Sequence, residues 1–190
     1  MRPLKPLLSL ALAAVLLLPS VASATDLLLP PPGPPGTAAY NEWLGRQFSD
    51  TMLNEADTAR RNEMLATLVA EDYIQHNPLL AEGRQGLLDF IPVIYEIMPD
   101  AKFTLHDVFA TDERVVTRWT WEGTMTGAPL LGVAPSGQKL SFDAIDIWTV
   151  RDGQLYEHWD QFDWPRAFVQ MGVKGLPAPF YDIAAQPADR

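Results

Sequence analysis

The sequence predicts an α+β domain, with helices first and a curved antiparallel or mixed sheet after them. Up to Pro99 apolar residues recur at three- and four-residue spacing, and beyond it they alternate with a period of two. Near the end, Asp152-Gly153 separates two alternating runs, the two-residue signal of a type I′ hairpin. The chain has 190 residues and no cysteine. Packing alone must therefore stabilise it.

The elements follow in order. Arg2 and Lys5, the apolar run Leu7 to Leu18 and the small residues Ala22-Ser23-Ala24 read as a secretory signal peptide over residues 1–24. The apolar run is short for a membrane span, so the mature chain is expected to start at Thr25 and to be periplasmic or secreted, with no membrane contact after cleavage. Residues 25–36 are a proline-rich spacer, extended and without packing. The domain itself covers residues 37–175, and residues 176–190 form a C-terminal tail.

A helix begins near Thr37, with Tyr40, Trp43, Leu44, Phe48, Met52 and Leu53 on one side. Asp57 is the N-cap candidate of a second helix, whose apolar side is Met64, Leu65, Leu68 and Val69. Asp72 to Pro78 is a short strand-like segment stopped by proline. Gly83-Arg84 opens a third helix, which Pro92 is expected to kink or break. Lys102 to Ala110, Val115 to Met125, Leu140 to Val150 and Gln154 to Phe162 are strands, and Arg166 to Met171 is a last helical turn. Strong twist in a sheet covered on one face predicts a cone with its mouth at one end.

Chemistry concentrates in the closing hairpin. Alternation puts Phe142, Ala144, Asp146 and Trp148 on one face of its first strand, and Tyr156, His158, Asp160 and Phe162 on one face of its second. Two carboxylates and an imidazole among aromatic rings suit acid–base work. Desolvation of Asp160 against Trp148, Trp159 or Phe162 raises its pKa toward that of a useful general base. His158, two residues away, either shuttles a proton or is a buried structural histidine. Asp146 needs a partner if buried, and Arg118 is the cation available on the preceding strand, in a structural or a catalytic pair. His76 and Asn77 before Pro78 either donate hydrogen bonds to a ligand or cap a turn. Tyr73 supplies a hydroxyl or packs. Trp119 and Trp121 line a wall or bury core.

Asp72-Tyr73-Ile-Gln-His-Asn-Pro78, Gly83-Arg84-Gln-Gly86 and Arg151-Asp-Gly-Gln-Leu-Tyr-Glu-His-Trp-Asp160 resemble the SnoaL-like polyketide cyclase branch of the nuclear transport factor 2-like superfamily. The resemblance covers roughly Thr37 to Gly172. It implies a cone-shaped α+β barrel enclosing one cavity. It also implies that Asp160 abstracts a proton alpha to a carbonyl, followed by a cofactor-free aldol-type closure. The family carries a histidine fourteen residues before that aspartate, and here the position is Asp146.

These observations give catalytic candidates Asp160, His158 and Asp146. The candidates for substrate binding are Tyr73, His76, Asn77, Arg118, Trp119, Trp148 and Phe162. The expected ligand is a small apolar or aromatic carbonyl compound. A non-catalytic periplasmic ligand carrier is the alternative reading, and an epoxide hydrolase using Asp146, Arg118 and Asp160 is a third. His76, His106 and His158 are scattered and no metal-ligand motif occurs, so no metal is expected. Without a Gly-rich phosphate loop or a nucleophile elbow, no cofactor is expected either. A net charge of −10 disfavours nucleic acid as a partner. The resemblance also makes a homodimer through the open sheet face an expectation.

Overall fold

The computed structural model describes residues 28–175. The signal-peptide reading at residues 1–24, the first part of the spacer and the tail at 176–190 lie outside the described residues. Helix α1 (Ala38–Arg46) starts at Thr37, whose hydroxyl accepts the Tyr40 amide. It runs directly into a π-helical turn, Gln47–Met52. Helix α2 (Thr58–Leu68) starts at Asp57, whose carboxylate accepts the Arg60 amide at 3.0 Å. Strand β1 (Val69–Gln75) and helix α3 (Gly83–Ile97) follow. Then come β2 (Lys102–Ala110), β3 (Arg114–Thr124), β4 (Lys139–Arg151), β5 (Gln154–Phe162) and α4 (Trp164–Gln170).

The sheet order is β1-β5-β4-β3-β2. β2 to β5 form an antiparallel meander, and β1 joins β5 in parallel. The sheet is therefore mixed and open, with β1 and β2 as edges. The helices pack on one face of it, and the aromatic and aliphatic core fills the space between. Fully buried Trp121, Trp148, Tyr73, Phe103 and Phe142 anchor that core, each contributing roughly 1.5–3 kcal/mol by burial.

Four local expectations need correction. First, residues 28–36 are not free of the domain. Leu29 donates its amide to Gln47 Oε1 and accepts from Trp43 Nε1. Proline has no N–H, but the leucine before the run keeps both backbone groups. Second, Pro92 does not break α3, which runs fifteen residues. Leu87 and Ile91 before it and Ile94 and Ile97 after it are all buried, and this packing outweighs the lost backbone bond. Third, the turn after α1 is wide because Leu53 bonds back to Phe48, which brings Gln47, Phe48, Ser49 and Met52 all inward.

Fourth, Tyr156 does not share the inner face of β5. Thr149 pairs with Glu157 but Val150 pairs with Leu155, so Tyr156 is the extra residue of a bulge. Leu155 and His158 are buried on either side of it, while Arg151 lies 3.6 Å over the Tyr156 ring. The hairpin turn itself is as expected: Asp152 and Gly153 have φ of +52° and +79°, the pair of left-handed residues that type I′ requires.

Candidate active site

The site forms where β1 stops. β1 pairs with β5 only as far as Gln75 opposite His158. Asp160 and Phe162 continue past that end, and the chain turns through His76-Asn77-Pro78. A hollow of about 50 Å³ lies here between the sheet and the helices. Asp146, His158, Asp160 and Asn77 are its polar lining, and Phe48, Ile91, Ile94, Trp119, Trp121 and Phe162 belong to its apolar wall.

Asp160 is half-buried, and both its oxygens accept from Asn77 Nδ2, at 3.0 and 2.8 Å. The Asn77 amide cannot be reversed, because its Oδ1 accepts the Leu79 amide at 2.9 Å. Burial pushes Asp160 above the usual aspartate range; the Asn77 bond and the nearby His158 oppose the rise, and Asp146 adds to it. Asp146 stands directly opposite Asp160 across the β4–β5 ladder, so two carboxylates face one hollow.

Asp146 is only 2% exposed. Its Oδ2 accepts from Trp119 Nε1 at 2.7 Å and from the Thr117 hydroxyl at 3.4 Å. Its Oδ1 lies 3.5 Å from His158 Nε2, and neither of these two buried atoms has another partner. The other ring nitrogen, Nδ1, is 3.2 Å from Gln75 Oε1. That oxygen also accepts the Asn77 amide at 2.9 Å, while Gln75 Nε2 donates to the Tyr73 hydroxyl at 2.8 Å. Gln75 thus presents an acceptor to His158, and Nδ1 must carry a hydrogen. A single proton between Nε2 and Oδ1 then satisfies both remaining atoms. It makes either an imidazolium facing a carboxylate or a neutral imidazole facing an acid.

The structure brings Asp160, His158, Asp146, Asn77, Trp119 and Phe162 to the hollow. Trp148 and Tyr73 stand behind it. Trp148 stacks on His158 with ring centroids 3.8 Å apart, and Tyr73 supports Gln75. Burial, then the carboxylates of Asp146, Asp160 and Glu82, push the Tyr73 hydroxyl far up, so it stays a neutral partner. His76 points away from the hollow, stacked on Trp159 at 4.6 Å and bonded to Glu157 at 2.9 Å.

Arg118 is not the partner of Asp146. Alternation along β3 turns Thr117, Trp119 and Trp121 inward and Arg118 to the other face, where it pairs with Asp107 at 2.6 Å. The Asp146–Arg118–Asp160 trio needed for the epoxide reading is therefore not assembled. Sequence reading missed Gln75, although period two from Tyr73 through Gln75 to Asn77 places all three on one face. Among the described residues, no group of three or more His, Asp or Glu is arranged to hold a metal.

The SnoaL-like polyketide cyclase profile matches residues 44–171. None of the curated proteins matches the chain. Among solved structures, TsrD from Streptomyces laurentii is 28% identical, with a TM-score of 0.63, over 71% of this chain and 96% of its own. A protein from Jannaschia sp. CCS1, named as a candidate SnoaL-like polyketide cyclase, is 20% identical, with a TM-score of 0.62, over 73% and 95%. AclR from Streptomyces galilaeus, named as a candidate hydroxylase, is 20% identical, with a TM-score of 0.60, over 78% and 92%. The last two share the fold and carry different reaction names, so the fold alone does not choose a reaction.

Proposed function

The chain belongs to the SnoaL-like polyketide cyclase family, and from that premise we propose that it catalyses cofactor-free proton transfer on a small apolar carbonyl compound. The observation that carries this reading is Asp160: a carboxylate held by one amide donor, in a hollow walled largely by aromatic and aliphatic side chains, with its pKa displaced upward. In the proposed step Asp160 takes a proton from the carbon next to the carbonyl. The carbon–hydrogen bond breaks, an enolate forms, and Asp160 becomes the acid. The enolate then either attacks a second carbonyl, closing a ring and leaving an alkoxide that takes the proton back from Asp160, or regains that proton at another carbon.

Trp121 supports the same reading. It lines the hollow, and its buried Nε1–H has no partner among the described residues. It is the donor for the developing oxyanion, the role that usually carries most of the stabilisation. A positioned base alone contributes about 10²–10⁴ in rate. His158 and Asp146 stand beside the base as a mutually facing pair.

The test is deuterium exchange. Wild-type protein in D₂O should speed the loss of the methyl proton signal of acetone, and Asp160→Asn should reduce the rate by about 10²-fold or more. Unchanged exchange in the variant would refute Asp160 as the base. Binding without exchange in the wild type would favour the carrier reading. The proposal includes export through residues 1–24, read by an N-terminus at Thr25 on protein recovered from outside the cytoplasm. It also includes a homodimer over exposed Phe109, Ile145 and Ile147; a monomeric mass by sedimentation would remove that part.

A further inference from the structure

Beyond the 50 Å³ hollow lies a second one of about 270 Å³. The two are adjacent: Asn77, Leu80, Phe90, Trp121 and Phe162 line both. The outer hollow is rimmed by Leu79, Val93 and Leu131, which are 52%, 38% and 46% exposed. Scattered exposed apolar residues mean little, but three converging on one opening mark a binding surface.

Leu131 is held there at a conformational cost. Leu130 and Val133 exchange both backbone hydrogen bonds, at 3.1 and 2.9 Å, and close a two-residue hairpin turn. Its central residues, Leu131 and Gly132, have φ of +49° and +80°. Such a turn favours Asn or Gly at its first central position, and leucine is disfavoured by its Cβ. A large apolar side chain kept in a strained turn and in water, at the rim of an apolar hollow, is not explained by packing of the core. Backbone strain persisting at a site is a reason to look for a role there.

We propose that the outer hollow is a subsite for a hydrocarbon chain and that Leu131 is its specificity-determining residue. The ligand class follows from the two volumes. The inner hollow has room for about four waters by the ~10–15 Å³ that each requires, so the group at Asp160 is compact. The outer hollow takes a long unbranched apolar substituent on the same molecule. The identity of the compact end as a carbonyl rests on the proton-transfer reading; the chain-binding subsite does not.

The experiment uses methyl ketones from acetone to 2-decanone, with dissociation constants measured by ligand-observed NMR on the whole mature protein. Affinity should rise about fourfold per methylene until the outer hollow is filled. Leu131→Asn suits the left-handed turn and removes the apolar side chain, so it should fold as well as wild type by thermal melting. It should weaken 2-decanone at least tenfold, and Leu131→Met should restore the slope. A flat chain-length series in wild type, or an undiminished slope in Leu131→Asn, would overturn the subsite. A wild-type dimer that becomes monomeric in Leu131→Asn would also overturn it, by making a second copy the occupant. Exchange of acetone in the same D₂O samples separates the two readings. A slope without exchange removes the proton-transfer function alone, and exchange without a slope removes the subsite alone.

Discussion

Replacing Trp119 by phenylalanine removes the N–H that donates to Asp146 Oδ2 at 2.7 Å, in a place where the carboxyl is almost completely buried. A hydrogen bond to an ionised group contributes about 1.5–3 kcal/mol, and a bond between neutral groups about 0.5–1.5 kcal/mol. The lost indole contacts add about 1 kcal/mol by buried apolar area, so Trp119→Phe should cost about 1.5–4 kcal/mol in all. A double-mutant cycle with Asp146→Ala isolates the bond from the packing. Two donors, Trp119 and Thr117, converge on one oxygen of this carboxyl. The cycle should therefore return a coupling of about 1.5–3 kcal/mol. Urea unfolding at pH 7 followed by far-UV circular dichroism measures it without relying on the altered tryptophan. A coupling below about 1 kcal/mol would refute a strong bond at this oxygen.

Other predictions follow from the same residues. Asn77→Ala deletes the donor that lowers the Asp160 pKa, so the acid limb of the exchange rate should move to higher pH; a limb that stays in place would separate Asn77 from the base. Asp160→Asn should change the pH dependence of stability. Because the folded pKa is raised, the stabilisation from Asp160 is present below its unfolded value of about 4 and is lost as pH rises through the folded value. The variant should thus gain on the wild type across that window and hold a constant lead above it, as read by urea midpoints at several pH values. Gly86→Ala should destabilise by about 3 kcal/mol or more, since a Cβ there would sit 2.0 Å from the Ala81 carbonyl oxygen; a melting point equal to wild type would contradict that contact.

Much of the fold was legible because its signals are local. Thr37 and Asp57 cap helices as their side chains dictate, and Asp152-Gly153 makes the turn that two left-handed residues make. The Gly83-Arg84-Gln-Gly86 segment is readable for a similar reason: Gly86 lies against the backbone of Ala81 and leaves no room for a Cβ. What the sequence concealed depended on tertiary packing. The bulge at Tyr156 breaks strict alternation, and no residue type near it announces the break. The parallel pairing of β1 with β5 joins segments about eighty residues apart. Arg118 was assigned to Asp146 by chemistry alone, whereas period two along β3 already put the arginine on the opposite face from Trp119.

The two aspartates of the site share a face, a strand pair and a register, yet their surroundings set different roles. Asp146 has Trp119 and Thr117 on one oxygen and His158 on the other. Both of its oxygens thus lie against polar groups of the protein, although it borders the same hollow. Among the described residues, Asn77 is the only side chain bonded to the Asp160 carboxylate, which otherwise borders the hollow. Paired titratable groups pushed into different environments are how one site separates a base from a group that stabilises it. The asymmetry originates in the length of β1. That strand reaches Gln75 and so covers His158, and the proline after Asn77 helps to end it before Asp160. Two more β1 residues paired with β5 in the same register would bring a backbone neighbour alongside Asp160 and close the opening. The position where β1 ends therefore determines which carboxylate meets the ligand.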